Sequence, residues 1–293
     1  MSDLPLDQVR TLLAVVDEQS FDRAAAVLHV TPPAVSQRVK ALEQRIGRVL
    51  VLRSKPVRLT DSGEVLVRFA RQLTRLEADT RAELGLGGPG EPTTLPIAVN
   101  ADSLATWFLP ALQAVPAEPP ISFDLRSDDE GYTDSLLREG LVMAAITATP
   151  HPVQGCSVRR LGTMRYRAVA SAAFASRWLD GPLAERLPAA PTVLFDRKDD
   201  LQDGFLRRLT RRRLPTRIRH YIPASVSFAD AVAAGLGWGM VPELQLAGRN
   251  LVELAPERPM DVALYWQQWK LDSPPLAAVA DAVAAAARRE LGG

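Results

Sequence analysis

The stretch SFDRAAAVLHVTPPAVSQRVKALEQRIGRVLVLRSK, residues 20–55, reads as two short helices that meet at a tight turn and lead into a basic hairpin. Ser20 is placed to cap a first helix over Phe21–Leu28, because its hydroxyl can accept from one of the free N–H groups of the opening turn. His29-Val30-Thr31 turns the chain. Pro32 and Pro33 follow where proline is tolerated, in a first helical turn whose N–H groups lack intrahelical partners anyway. Val35, Val39, Leu42 and Ile46 then recur at intervals of 4, 3 and 4, which makes one apolar stripe. Ala24 and Ala25 are small enough for the two helices to cross closely. The outer face of the second helix carries Ser36, Gln37, Arg38 and Lys40, with Thr31 and Pro33 at its leading end. Such side chains pair with base edges and phosphates when a helix enters a major groove.

Charge distribution agrees. Between Thr31 and Thr60 there are seven cations, Arg38, Lys40, Arg45, Arg48, Arg53, Lys55 and Arg58, against Glu43 alone, in a chain whose net charge is only +1. A solvated amphipathic helix would account for the stripe, but not for positive charge gathered as phosphate binding requires. Val49–Arg53 and Val57–Leu59 are short β-type runs about Ser54-Lys55-Pro56. They predict a hairpin wing whose Arg53 and Lys55 lie against phosphates or in the minor groove. An exposed basic turn with no partner is the alternative.

These residues, continued by Val57-Arg58-Leu59-Thr60-Asp61-Ser62-Gly63, resemble the N-terminal winged helix-turn-helix of LysR-type transcriptional regulators. That family often places a phenylalanine before the wing arginine, where this chain has Val51-Leu52-Arg53. The resemblance implies promoter DNA as partner, with Ser36, Gln37 and Arg38 on bases and Lys40, Arg53 and Lys55 on phosphates.

Outward from the wing, Leu6, Val9, Leu13 and Val16 predict an amphipathic first helix that packs under the other two. Asp61 and Glu64 have capping-box spacing. Leu66, Phe69, Leu73, Leu76, Thr80 and Leu84 follow at near-heptad intervals over residues 61–84. So long a stripe calls for a second copy of the same helix or for packing on its own N-terminal domain, and the family resemblance implies a dimerising linker, with a tetramer as the further assembly. Residues 85–92 hold four glycines and two prolines and mark a hinge.

Beyond the hinge, residues 93–293 alternate apolar strands (Leu95–Val99, Ile121–Leu125, Met143–Ile146, Tyr166–Ala170, Thr192–Phe195, Arg217–Ile222, Met260–Trp266) with helical stretches. This predicts an α/β fold with mostly parallel strands. The resemblance implies a two-lobed, periplasmic-binding-protein-like effector domain, with lobe I at 93–161 plus 267–293 and lobe II at 162–266. One cysteine, Cys156, excludes an internal disulfide, and no apolar run reaches the roughly 20 residues needed to cross a bilayer. With no leader-like N-terminus, a cytoplasmic protein is expected. Three scattered histidines, no nucleophile elbow, no metal-ligand spacing and no phosphate loop argue against an enzyme and against a cofactor.

The expected chemistry is therefore ligand binding at strand ends. Asn100-Ala101-Asp102-Ser103 ends the first strand and opens a helix, and it could hold a carboxylate or an ammonium, or simply cap. Ser127–Glu130 is an acidic cluster or a solvated turn. Thr147 ends a third strand, and Asp196 and Gln202 lie beyond a fourth. AVNADSLATWFLP, REGLVMAAIT, MRYRAVAS, DDLQD, AGLGWGMVPE and LYWQQWKLDSP are similar to the LysR-type branch that controls export or handling of lysine and arginine. That similarity implies lysine, arginine or another basic amino acid as effector, with Asn100, Asp102, Ser103, Asp129 and Thr147 on the first lobe and Asp196, Gln202 and Trp238 on the second. Trp238 could equally be a core aromatic. RNA polymerase is a further partner of such regulators. A solute-binding module without sequence-specific DNA affinity is the alternative. Seven arginines between Arg207 and Arg219 fit a solvated face, a subunit contact or a second nucleic-acid patch.

Overall fold

The computed structural model describes residues 4–84, 86, 92–118, 120–128, 133–211 and 218–292. Its N-terminal unit is α1 (Leu6–Asp17), α2 (Phe21–Val27), α3 (Pro32–Ile46), the hairpin β1 (Val51–Leu52) and β2 (Arg58–Leu59), and α4 (Asp61–Glu83). Ser20 caps α2 by accepting from the Arg23 N–H at 3.4 Å, and the two prolines occupy the first turn of α3. Val9, Leu12, Val15, Ala24, Val35, Val39 and Leu42 are fully buried together. Each large aliphatic there contributes about 1.5–3 kcal/mol over an exposed one.

Glu43, the lone anion of the basic stretch, is not available to oppose DNA. Its Oε1 accepts from the backbone N–H groups of Leu50 (2.8 Å) and Val51 (3.3 Å), which ties the recognition helix to the wing. The expected Asp61 cap moves back one residue. Thr60 donates to Val49 O (2.7 Å) and accepts from the Gly63 N–H (3.1 Å), so a threonine hydroxyl closes both the wing and the α4 start. Gly63 lies so close to the hairpin that a Cβ would stand 2.0 Å from Leu50 O.

The second unit is built on a seven-stranded sheet. β3 (Thr93–Asn100) leads through α5 (Ala101–Ser103), a π turn over Leu104–Phe108 and α6 (Leu109–Gln113) to β4 (Ile121–Asp128). Then come α7 (Thr133–Arg138), β5 (Ala144–Thr147) and the long β6 (Cys156–Ser171). α8 (Ala172–Trp178), α9 (Leu183–Arg186), β7 (Thr192–Leu194), α10 (Leu201–Thr210), β8 (Arg219–Tyr221), α11 (Ser225–Ala233), β9 (Gly239–Pro242) and β10 (Leu251–Glu253) follow. β11 (Met260–Trp269) and α12 (Pro274–Glu290) close the chain.

The expectation of mostly parallel strands is corrected. β3–β4, β3–β5 and β7–β8 are parallel, but β6 pairs antiparallel with β9, β10 and β11, and β11 pairs antiparallel with β5. The reason is the length of β6 and β11. Arg159, Arg160, Arg165 and Arg167 and a glycine break the apolar run of β6, so only its last third has the look of a strand in sequence. Cys156 opens this strand and is buried, and burial pushes its thiol up to about 11. The expected lobe limits at 161 and 266 fall inside β6 and β11, which run unbroken through them, with a register shift between Leu264 and Tyr265. At Gly162 a Cβ would meet the Leu291 Cβ at 2.6 Å, so the end of α12 is pressed onto the point where β6 crosses.

α4 belongs to both units. Leu66, Val67 and Ala70 are buried in the helix-turn-helix core. On an adjacent face Arg68 donates to Arg138 O (3.0 Å), Arg71 to Glu139 O (2.8 Å) and Arg75 to Thr94 O (3.2 Å). Leu66 is therefore unavailable to a partner helix. The large exposed apolar side chains of α4 are Val65, Phe69 and Leu76, with Leu73 half-buried between them and Leu84 exposed just past the helix end. Most of the glycine-rich hinge lies outside the described residues.

Candidate nucleic-acid interface and effector cleft

Helix α3 turns Val35, Val39 and Leu42 inward, which fixes what faces out: Thr31, Pro33, Gln37 and Lys40 are exposed, and Ser36 and Arg38 are half-buried along the same helix. Arg53 and Lys55 are exposed on the wing. Arg53 also lies 5.2 Å from the centroid of the Phe21 ring, so α2 steadies the wing cation by a cation–π contact. Leu52, where the family often has phenylalanine, is exposed, and Val51 fills the wing's share of the core.

In the second unit a cleft of about 640 Å³ opens between the β3 end and the β7–α10 segment. Asn100 and Asp102 form one wall, with Tyr166 from β6. Asp102 is the centre of this wall: Oδ2 accepts from the Tyr166 hydroxyl at 2.7 Å and Oδ1 from the Ser225 hydroxyl at 2.5 Å, while the Gln245 amide donates to Ser225 Oγ at 2.6 Å. Burial pushes the Asp102 carboxyl above its ordinary value, against the opposing pull of the Ser225 and Tyr166 hydrogen bonds.

The facing wall is the loop between β7 and α10. Asp196 Oδ1 accepts from the N–H groups of Lys198 (2.7 Å) and Asp199 (3.0 Å), so Asp196 shapes the loop. Asp199, which lines the cleft, accepts from Phe195 N–H (2.8 Å) and Leu201 N–H (3.1 Å). Burial pushes Asp199 up to about 6, with repulsion from Asp102 in the same direction. Asp200 is mostly exposed beside them and lies 3.9 Å from Arg207. Arg207 and Arg208 also line the cleft, and Phe228, Met240 and Met260 give it an apolar floor.

Of the eight expected effector residues, the cleft lining thus brings Asn100 and Asp102 together. Four others are buried behind it. Ser103 is fully buried next to Asp102. Thr147 is held by Gln267, whose amide donates to it at 3.2 Å and to the carbonyls of Thr149 and His151. Gln202 donates its amide to Val193 O at 3.0 Å and also hydrogen-bonds the Asp199 side chain. Trp238 is a core aromatic, fully buried with its ring 6.0 Å from that of Phe205. Asp196 stands in the loop as described, and Asp129 lies outside the described residues. Sequence reasoning missed Tyr166, Asp199, Asp200 and Ser225. Asp199 and Asp200 were within reach of the strand-end rule, a few residues past the β7 end, whereas Tyr166 lies within β6 and not at a strand end. Of the arginine cluster, Arg207 and Arg208 are cleft residues and Arg219 pairs with Asp203 at 3.0 Å. Arg212, Arg213 and Arg217 lie outside the described residues.

Residues 6–64 match the bacterial regulatory helix-turn-helix protein, lysR family, and residues 89–288 match the LysR substrate binding domain. The chain is 46% identical to the HTH-type transcriptional regulator LysG of Mycobacterium tuberculosis, over 98% of this chain and 95% of that protein. It is 43% identical to the lysine export transcriptional regulatory protein LysG of Corynebacterium glutamicum, over 96% and 97%. The structure of full-length LysG from C. glutamicum with bound effector arginine superposes with a TM-score of 0.82 at 42% identity, covering 97% of this chain and 98% of that one. Among the described residues no helix is long and apolar enough to cross a membrane. The fold, the basic helix-turn-helix face and the matched sequence agree: this chain belongs to the LysR family of bacterial helix-turn-helix regulatory proteins.

Proposed function

We propose that the chain is a cytoplasmic transcription regulator that binds promoter DNA as a homodimer or tetramer and responds to a basic amino acid, lysine or arginine, controlling an amino-acid exporter or a related gene. The observation that carries the effector half is the composition of the cleft. Two half-buried carboxylates, Asp102 and Asp199, line the cleft with Asp200 near them, so a cation is the ligand group that relieves their mutual repulsion. Met240 and Met260 suit an aliphatic stem, and Arg207 and Arg208 supply charge for an α-carboxylate. Asp129, which the family resemblance implies, is proposed as a further contact. Residues 1–60 are the DNA-binding domain, 61–84 the dimerising helix and 93–293 the effector domain, and the assembled oligomer presents the promoter to RNA polymerase.

The test is a mobility shift on DNA upstream of the protein's own gene, at fixed salt, with and without lysine, arginine or histidine. A specific complex whose footprint changes with one of them is expected. Binding indifferent to all three would discard the effector, and equal affinity for random DNA would favour the solute-binding alternative. Arg38→Ala is expected to cost about 1–3 kcal/mol on the specific site if the guanidinium reads a base. Equal losses on specific and random DNA would reduce Arg38 to a phosphate contact. Phe69→Asp places a charge in the exposed stripe of α4 and is expected to shift the protein from dimer to monomer in sedimentation. An unchanged sedimentation coefficient would remove that stripe from the interface.

A further inference from the structure

A second cavity, of about 390 Å³, lies on the α12 side of the junction between the two halves of the effector domain. Thr106, Trp107 and Pro110 come to it from the segment after β3, Arg289 and Glu290 from the end of α12, and Val226, Leu244 and Gln245 from the α11–β10 part of the chain. Two polar atoms here are buried without a partner among the described residues: the Trp107 indole N–H, a donor, and Gln245 Oε1, an acceptor. Leaving such groups unpaired costs their desolvation, which a ligand offering the complementary groups would recover. Val226 and Leu244 are exposed apolar side chains, and Arg289 and Glu290 are exposed charges of opposite sign.

The cavity is wired to the effector cleft. The Gln245 amide donates to Ser225, which donates to Asp102 on the cleft wall. Thr106 donates to the Asp102 carbonyl at 2.6 Å. Both links end on one residue, and Gln245 and Thr106 are walls of the second cavity.

We propose that this cavity is a second ligand site, for a small zwitterion with an apolar side chain such as a neutral aliphatic amino acid, and that its occupancy alters affinity in the effector cleft through the Gln245–Ser225–Asp102 chain. Arg289 takes the carboxylate, Glu290 the ammonium, and Val226, Leu244 and Pro110 the side chain. The coupling rests on the basic amino acid reading of the cleft; the binding does not.

The experiment is calorimetry on the full chain, titrating leucine, 4-methylpentanoate and isoamylamine, with arginine absent or saturating. Leucine is expected to bind saturably and the two analogues, each lacking one charge, to bind at least about tenfold more weakly. Arginine is expected to shift the leucine Kd by about threefold or more, and leucine the arginine Kd by the same factor, since linkage is reciprocal. Arg289→Ala should abolish leucine binding and leave the arginine Kd untouched, while Gln245→Leu should remove the shift that saturating arginine makes in the leucine Kd. Absence of leucine binding, simple competition with arginine, or leucine binding unaffected by Arg289→Ala would overturn the site. If arginine fails to bind while leucine still does, it is the effector reading that fails.

Discussion

Asp102→Asn is expected to raise the Kd for arginine by about 30-fold to several thousand-fold, the equivalent of the 2–5 kcal/mol lost when one member of a buried, hydrogen-bonded charge pair is removed. Both Asp102 oxygens accept from hydroxyls, so an amide must turn one NH2 toward Tyr166 or Ser225, and that hydroxyl has to rotate to accept. The fold survives such a rotation; the charge does not. DNA affinity in the absence of effector should be unchanged, and calorimetry on the variant with arginine is the direct check. A Kd within twofold of the parent (about 0.4 kcal/mol) would take Asp102 out of the site.

The same carboxylates give the effector response a pH dependence whose sign is fixed. Burial holds Asp199 at about 6 instead of 3.8. In the ligand-free protein the neutral acid is favoured, so its contribution to stability is complete below 3.8 and is lost as pH rises through about 6. A cationic ligand reverses that preference. Arginine should bind more tightly as pH rises through about 6 and reach a plateau above it, with protons released on binding at the acid end. Asp102, raised for the same primary reason, adds in the same direction. Affinity that stays flat from about pH 5 to about pH 8 would contradict this.

Gly63→Ala is the second large effect, and it acts on the other half of the molecule. A methyl group here has no rotamer to choose and would lie 2.0 Å from the Leu50 carbonyl oxygen and 2.9 Å from the Leu59 side chain. Backbone must move, and overpacking of this kind costs about 1–3 kcal/mol or more. The carbonyl concerned belongs to the residue whose N–H Glu43 holds, and Thr60 and Gly63 form the next hydrogen bond along. The disturbance therefore reaches wing and recognition helix together. Thermal melts should show an N-terminal transition lowered by several degrees and operator binding lost, while arginine binding in the second unit persists. An unaltered melt would mean that the approach of α4 to the wing is looser than the structure gives.

The winged helix-turn-helix was legible because its signals are local. Ser20, the two prolines, the 4-3-4 stripe and the alanines each act within a few residues, and they agree. Thr60 replaced Asp61 as cap because a hydroxyl could serve Val49 and Gly63 at once, a contact across the hairpin that spacing along α4 does not contain. The sheet was less legible. Strands β6 and β11 are long because they pair with each other through both halves, and the arginines and Gly162 that break their pattern are tolerated by partners remote in sequence. The cleft was half legible. Strand-end reasoning reached Asn100 and Asp102. It did not separate Asp196, which folds the loop, from Asp199, which the fold carries to the wall, because both are aspartates past one strand end and only the turn decides their facing. Thr147 and Trp238 have suitable chemistry but are spent on the core, and Gln202, buried behind the wall, supports Asp199 by a side-chain hydrogen bond.

The double use of α4 sets a threshold for signalling. The turns that carry Leu66 and Ala70 into the DNA-binding core also carry Arg68, Arg71 and Arg75 onto backbone carbonyls of the effector unit. The head is thus strapped to the sensor directly, in parallel with the glycine-rich connection. A strap of charge-assisted hydrogen bonds, each about 1.5–3 kcal/mol, stabilises the docked arrangement. An effector that moves the head relative to its sensor must bind the released form better by more than the strap is worth. A weak or mismatched amino acid would occupy the cleft and leave the head where it was, so the strap acts as a filter between occupancy and response.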